Sequence, residues 1–266
     1  MKFVEWLIQI FRKGDNESSP NDRVYSLIRE SHGYLLSQEF DNARNSLLQA
    51  IKRRHEIKRP ELVDYILTSL EATWLFTDRH EEAIEFFSEY LMGYPDDAVA
   101  HRGRGSALWY LGDLPGAFKD YSRALELKPN DAISLSGRGQ IRAEMGSPEK
   151  ALEDLDQALL MLSATPITDG AWSVWASQAE AFIRNGRGAA FAALRRDKAA
   201  LEEFKASLIL CPNNAWVYDN RGQAYERFGN YERARIDYEI ALTKTEPSLS
   251  RARKSRLQER LQHLPQ

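Results

Sequence analysis

The stretch RGQAYERFGNYERARIDYEIAL, residues 221–242, decides the fold, because the chain contains the same pattern twice more. The earlier copies are RGSALWYLGDLPGAFKDYSRAL at 104–125 and RGQIRAEMGSPEKALEDLDQAL at 138–159. Each copy begins with Arg-Gly, has a glycine eight residues after that arginine, and ends with Ala-Leu. Self-similarity at a fixed period is the signature of a repeat protein, in which one supersecondary unit is stacked several times.

An alanine that follows the middle of each copy extends this pattern to most of the chain. It is found at Ala43, Ala83, Ala117, Ala151, Ala200 and Ala234. The spacing is 34 residues in three of the five intervals. Apolar residues recur at helical spacing on both sides of the mid-repeat turn, and Pro95, Pro129 and Pro212 follow the second apolar stretch, where a proline ends a helix. Each unit is therefore predicted to be two amphipathic helices joined by a tight turn.

The order of large, small and aromatic residues in these units resembles the tetratricopeptide repeat (TPR) family over roughly residues 24–248. The matching residues are Leu67, Trp74, Ala83, Phe87, Pro95, Gly105, Leu108, Ala117, Tyr121, Ala124, Pro129, Tyr218, Gly222, Tyr225, Ala234, Tyr238 and Ala241. The resemblance implies an all-α, right-handed α-solenoid of about six helix pairs. The expected units are 24–57, 64–97, 98–131, 132–165, 172–214 and 215–248, between an N-terminal amphipathic helix with its linker (1–23) and a C-terminal capping helix (249–266).

A helix pair of this kind buries its apolar face only against neighbouring pairs, so the core of such an array is long and thin. Small residues at fixed places, among them Gly105, Gly139 and Gly222, would allow the helices to approach closely. We therefore expect one curved helical domain from a chain of 266 residues.

The repeated arginines carry a second pattern. Arg104, Arg138 and Arg221 each precede an aspartate by sixteen residues, and the three pairs expected from this spacing are Arg104–Asp120, Arg138–Asp154 and Arg221–Asp237. The other three units have Glu30, Leu70 and Gln178 at the arginine place, and Ser46, Phe86 and Glu203 at the aspartate place. We interpret the pattern as an ion pair between the two helices of a repeat. A ladder of ligand-binding arginines is the alternative.

The first thirteen residues, MKFVEWLIQIFRK, form a broad apolar face with a narrow polar one. They are too few to span a bilayer. Three interpretations stay open: the segment packs on the array or fills its groove, it packs against a second chain, or it lies in a membrane interface with Trp6 at headgroup depth.

The fifth unit has nine more residues between Gly186 and Ala200 than the third has between Gly112 and Ala117. The Asn-Gly-Arg-Gly sequence at 185–188 predicts a helix stop there. We therefore expect one long helix over 189–210 whose first turns, with Phe191 and Leu194, project past its neighbours. They are covered by the connection 163–170 or form a partner-binding edge.

Two basic segments leave an RNA-binding function open. They are KRRHEIKR at 52–59 and the C-terminal helix with its arginines. A cluster of cations at the end of a helix is more often simply exposed to water, and the helix dipole stabilises positive charge there. The formal net charge of −3 gives no general argument for a nucleic-acid partner.

The chain contains no residue set that indicates catalysis, and we expect no enzyme activity and no cofactor. Gly103-Arg104-Gly105 lies inside a predicted helix and not after a strand, so it is no phosphate-binding loop. The five histidines form no ligand pair, which argues against a metal site. The single cysteine, Cys211, excludes an internal disulfide framework.

The family resemblance implies a scaffold that binds a protein or peptide on a concave face lined by the first helix of each pair. The partner-binding residues expected at those places are Arg102, Ser106, Trp109, Tyr110, Gln140, Glu144, Asn220, Gln223 and Arg227. Asn220 matches a family asparagine that often bonds a ligand's backbone. We expect a cytoplasmic protein, and a membrane-associated or self-associating scaffold anchored through residues 1–13 is the alternative.

Overall fold

The computed structural model describes residues 21–164, 171–244 and 251–265, and every regular element within these ranges is a helix. The predicted all-α class is therefore confirmed, and the fold is an α-solenoid. The amphipathic segment 1–13 and most of the connection 163–170 lie outside the described residues, so the interpretations of both stay open.

The described ranges contain thirteen α-helices and one short 3-10 helix, Arg54–Glu56. The α-helices are α1 (Asn21–Leu36), α2 (Phe40–Lys52), α3 (Pro60–Thr77), α4 (His80–Gly93), α5 (Ala98–Leu111), α6 (Leu114–Leu127), α7 (Ala132–Glu144), α8 (Pro148–Ala164), α9 (Ala171–Ala193), α10 (Asp197–Leu210), α11 (Ala215–Arg227), α12 (Tyr231–Thr243) and α13 (Arg251–His263). Each predicted unit overlaps two consecutive helices, while the number and the limits of the repeats stay predictions.

The chain divides into two compact units, Met1–Ala107 and Leu108–Gln266, and each is described by itself. In the first unit the core is built from α1 to α4 and the first part of α5, and its largest buried side chains include Trp74 and Phe87. In the second unit α7 packs on α8, α9 on α10 and α11 on α12, while α13 lies against α12. Leu257 of this last helix and Leu264, just after its end, are buried.

The turn inside each unit places one residue in the left-handed backbone region. Counted from the repeat alanine, this residue is always five positions earlier. The six residues are Gln38, Asp78, Gly112, Gly146, Arg195 and Gly229, with φ between 56° and 89°. Glycine reaches this region without the clash that a side chain meets. Three units therefore have a favourable turn residue and three have a strained one.

The fifth unit differs from the sequence-based expectation. Helix α9 continues through 185–188 and ends at Ala193, and the turn residue is Arg195. The predicted single helix over 189–210 is therefore wrong. The extra residues lengthen the first helix of the pair at its beginning, so that α9 has 23 residues where α7 and α11 have 13. Gly186 and Gly188 did not stop the helix, because both fill tight packing positions inside it.

The corrected register reveals a fourth copy of the opening pattern, which begins at Arg187-Gly188. A β-carbon added to Gly188 would lie 2.6 Å from Phe204 of α10. One added to Gly222 would lie 2.6 Å from Tyr238 of α12. Phe204 and Tyr238 each follow their glycine by sixteen residues, so this glycine is the point where the two helices of a unit touch.

Two of the three predicted Arg–Asp pairs are present. Arg138 donates from Nε and Nη2 to the two carboxylate oxygens of Asp154, at 2.9 and 2.7 Å. Arg221 does the same with Asp237, at 2.8 and 2.8 Å. Both aspartates are buried.

The third pair, Arg104–Asp120, would join the two compact units and stays a prediction. The sequence interpretation that the fifth unit has no such pair is wrong. Arg187 Nη1 lies 3.2 Å from Glu203 Oε1, and these two residues are also sixteen apart.

Candidate functional site

A groove of about 260 Å³ in the second unit gathers several of the predicted partner-binding residues. Its walls are formed by the ends of α7 and α9, by α11 and by α13. The lining residues are Leu114, Ala143, Glu144, Ala189, Ala192, Asp219, Asn220, Gln223, Arg227, Arg253, Arg256, Leu257 and Arg260. Four of them, Glu144, Asn220, Gln223 and Arg227, are among the partner-binding residues that the family resemblance predicts.

The space of the groove comes from small residues on α9. Ala189 precedes Gln223 by 34 residues, and Ala192 precedes Glu226 by the same distance, so these alanines hold places where the next unit has long side chains. Because alanine is short, the groove is deeper at these two positions. The side chains of α11 and α13 then form its polar walls.

Helix α13 continues the repeat period and does more than close the end of the array. Arg253 follows Asp219 by 34 residues, and its Nε forms an ion pair with Asp219 Oδ2. Its Nη2 donates to Asn220 Oδ1 at 2.7 Å. Asn220 Nδ2 in turn donates to Asn185 Oδ1 at 3.1 Å. These bonds tie α9, α11 and α13 together beneath the groove.

Four aromatic rings pack behind the groove and hold its shape. Trp109 and Trp216 have centroids 4.9 Å apart, and Phe182 and Tyr110 contact Trp109 edge-on at 5.7 and 5.6 Å. Trp109 Nε1 donates to Glu144 Oε1 at 3.1 Å. The guanidinium of Arg253 lies 4.0 Å from the ring centroid of Trp216, which is a cation–π contact.

The outer wall contains a second charged cluster. Arg260 Nη1 lies 2.8 Å from Glu226 Oε2, and the hydroxyl of Tyr238 donates to the same oxygen at 2.6 Å. Burial and the hydrogen bond to Glu226 raise the pKa of Tyr238. Burial lowers the pKa of Arg260, but Tyr238 and Glu226 outweigh this effect and the net shift is upward. Arg260 and Tyr238 therefore keep their protons throughout the physiological range.

The structure brings four of the nine predicted binding residues together and places the others elsewhere. Glu144, Asn220, Gln223 and Arg227 line the groove. Trp109 is 4% exposed in the aromatic cluster, and Tyr110 is half-buried beside it. Gln140 is buried and donates to the carbonyl oxygen of Phe182 at 3.3 Å.

The remaining two, Arg102 and Ser106, belong to the first compact unit. Both are buried around Glu71, with Arg102 Nε donating to Oε2 at 3.1 Å and Ser106 Oγ to Oε1 at 2.6 Å. The partner-binding role of the nine residues stays a prediction.

Sequence reasoning missed the residues that α13 contributes. Arg253, Arg256, Leu257 and Arg260 line the groove, although this segment was expected mainly to cap the array, with a basic partner-binding tail as the alternative. The 34-residue period was the available signal, since it carries Asp219 to Arg253 and Gln223 to Leu257.

The basic segment 52–59 is partly engaged within the first unit. Arg54 Nη1 lies 3.1 Å from Asp97 Oδ2, and its guanidinium stacks 3.8 Å from the ring centroid of Tyr94. Arg53 pairs with Glu56 at 2.9 Å. These contacts leave fewer free cations for phosphate than the sequence implies.

No cluster of three His, Cys, Asp or Glu side chains suited to a metal ion occurs among the described residues. Burial raises the pKa of the Cys211 thiol, which is opposite to the shift of an activated nucleophile. Within the described part of the chain, no helix is both long and apolar enough to cross a membrane.

Comparisons with known proteins agree with this architecture. A family model described as TPR repeat matches residues 105–146, and one described as tetratricopeptide repeat matches residues 203–236. No curated protein is similar enough in sequence to count as a relative.

Several solved structures share the fold. A tetratricopeptide repeat protein from Parabacteroides merdae ATCC 43184 has a TM-score of 0.52 and 18% identity, over 90% of this chain and 98% of that one. A chain of the APC/C hetero-tetramer Cut9-Hcn1 has a TM-score of 0.66 and 15% identity, over 96% of this chain and 46% of that one. The type IV pilus biogenesis factor PilW has a TM-score of 0.51 and 16% identity, over 75% of this chain and 92% of that one. Two segments of the chain thus match tetratricopeptide repeat models, and its helical fold is that of these neighbours, so the chain contains tetratricopeptide repeats.

Proposed function

We propose that this protein is a non-catalytic interaction scaffold that binds an extended segment of a partner protein in the groove of residues 108–266. The observation that carries the proposal is the groove itself, in which α7, α11 and α13 present polar side chains beside Ala189 and Ala192 of α9. The TPR repeats and the neighbours that belong to protein assemblies support an interaction scaffold in general.

The polar groups of the groove are suited to a peptide. Gln223 Nε2 donates to Asp219 Oδ1 at 2.8 Å, which holds the side chain extended along the wall. Its carbonyl oxygen is left to accept from a peptide N–H. The amide oxygen of Asn220 already accepts from Arg253, and its amide nitrogen already donates to Asn185. Asn220 therefore positions the wall of the groove, and the residues beside it contact the peptide.

The aromatic cluster makes the groove rigid before a partner arrives. Trp109 and Trp216 are each 4% exposed, and their packing fixes Glu144 and Arg253 at the rim. A preorganised surface loses less conformational entropy on binding, and that loss is a main cost of association.

The test uses a substitution that fills the groove without changing the fold. Ala189→Gln introduces the side chain that Gln223 carries at the same place of the next unit, whereas Ala193→Gln adds it on the exposed side of α9, outside the groove. Twelve-residue peptides are selected from a display library on the intact protein, and their affinity is measured by fluorescence anisotropy.

We expect Ala189→Gln to weaken binding by at least about tenfold, which corresponds to about 1.4 kcal/mol, and Ala193→Gln to leave it unchanged. Equal affinity for both variants would place the binding surface elsewhere. Failure to select any peptide would contradict peptide binding in this groove.

A further inference from the structure

Resting on the proposed function, we infer that the groove selects a partner segment rich in aspartate and glutamate, through Arg227 of α11 and Arg256 of α13. Four arginines line the groove, against the carboxylates of Glu144 and Asp219. The inference depends on which of these charges are already paired.

Both carboxylates of the groove have partners within the protein. Asp219 is bound by Arg253 and by Gln223. Glu144 accepts from Trp109 Nε1 at 3.1 Å and lies 3.7 Å from Arg253 Nη1. Neither is therefore available to select a cationic ligand.

Two of the arginines are likewise engaged, and two are not. Arg253 is held by Asp219, and Arg260 by Glu226 at 2.8 Å. Within the described residues, the guanidinium groups of Arg227 and Arg256 form no ion pair or hydrogen bond, and both residues are exposed at the groove. The groove thus presents two unneutralised cations.

A guanidinium presents a planar fork of N–H donors that matches a carboxylate. Two such groups on α11 and α13, with the Gln223 carbonyl in the same groove to accept a backbone N–H, suit a short acidic stretch of polypeptide. A nucleic acid fits less well, because Glu144, Asp219 and Glu226 are paired with Arg253 and Arg260, which leaves only two cations in the groove for a run of phosphates.

The experiment uses the intact protein and two libraries of twelve-residue display peptides, one containing Asp and Glu and one lacking both. We expect peptides whose binding is lost in Ala189→Gln to come only from the library with acidic residues. Such peptides from the acid-free library would overturn the inference and leave the proposed function intact. If no peptide from either library responds to Ala189→Gln, both fail.

Substitution of the arginines tests the mechanism with a selected acidic peptide. An exposed ion pair is worth up to about fivefold in affinity, so Arg227→Gln with Arg256→Gln should weaken binding about tenfold. Arg227→Glu with Arg256→Glu should abolish it and allow a Lys-substituted copy of the peptide to bind. Arg196→Glu, at an exposed arginine outside the groove, is the control and should change neither affinity.

Unchanged affinity in the double glutamine variant would overturn the inference. A 20-nucleotide single-stranded oligouridylate is tested in parallel. Tight, salt-sensitive binding of this RNA that displaces the acidic peptide and is lost in the same variants would assign the two arginines to nucleic acid instead.

Discussion

Removal of Asp237 should destabilise the protein by about 2–3 kcal/mol. The Asp237→Ala change leaves Arg221 without the two oxygens that its Nε and Nη2 contact at 2.8 Å. An unpaired charge in a fully buried site costs roughly 3–5 kcal/mol. The side chain of Arg221 is 22% exposed and also faces the ring of Tyr218 at 5.4 Å, so water recovers part of that cost. The expected value is therefore below the fully buried one.

The assay is urea unfolding of the intact protein, followed by circular dichroism at 222 nm. Hydrogen exchange of α11 and α12 locates the effect, since repeat proteins open locally. Asp156→Ala serves as the matched control, because this aspartate is 60% exposed and its ion pair with Arg187 at 3.1 Å should contribute less than about 1 kcal/mol.

Replacement of both partners distinguishes the contribution of the ion pair from the cost of leaving one charge unpaired. Arg221→Met with Asp237→Leu should cost less than Asp237→Ala alone, because no charge is then left unpaired. A loss below about 0.5 kcal/mol for Asp237→Ala, equal to that of the exposed control, would refute the argument that the repeated Arg–Asp pattern stabilises each helix pair.

Three further predictions concern the turns, a buried histidine and the aromatic cluster. Gly229→Ala should destabilise the protein by about 1–2 kcal/mol, whereas Gln38→Gly should leave its stability unchanged or raise it. The reason is that φ is 79° and 60° at these positions, where glycine is favoured. The midpoints of urea unfolding compare the two variants. Burial lowers the pKa of His80 against the opposing effect of Asp78, so its contribution to stability is complete above the unfolded pKa of about 6.5 and is lost as pH falls. The thermal midpoint should accordingly fall less steeply from pH 7 to pH 5 in His80→Gln than in the unsubstituted protein, and identical slopes would exclude this role. Trp109→Ala should cost about 3–5 kcal/mol of stability, as expected for a buried aromatic residue; calorimetry showing an unchanged melting temperature would identify Trp109 as a surface residue.

The local chemistry of the repeats could be predicted from the sequence. Sixteen residues separate the arginine and the acid of a unit, and the same distance separates the glycine from the ring that fills its place, as for Gly222 and Tyr238. Both regularities lie within one helix pair. Such contacts are short in sequence and recur with the period, so the pattern carries them.

The position of the extra residues in the fifth unit was decided only by tertiary packing. Gly186 and Gly188 have the composition of a helix stop, but Gln140 and Phe204 occupy the space next to them and require glycine inside a continuous helix. The sequence alone could not distinguish these two uses of glycine, because local propensity is weak compared with packing.

The predicted binding face also depends partly on the sequence and partly on the tertiary structure. The family resemblance assigned Glu144, Asn220, Gln223 and Arg227 to one face, and the structure brings these four residues together in one groove, while their role in binding stays a prediction. The resemblance could not show that Trp109 is buried, because burial depends on how the rings of α5, α9 and α11 meet across the helices. The sequence determines what each helix pair is made of, and the tertiary structure determines which of its side chains remain available to a partner.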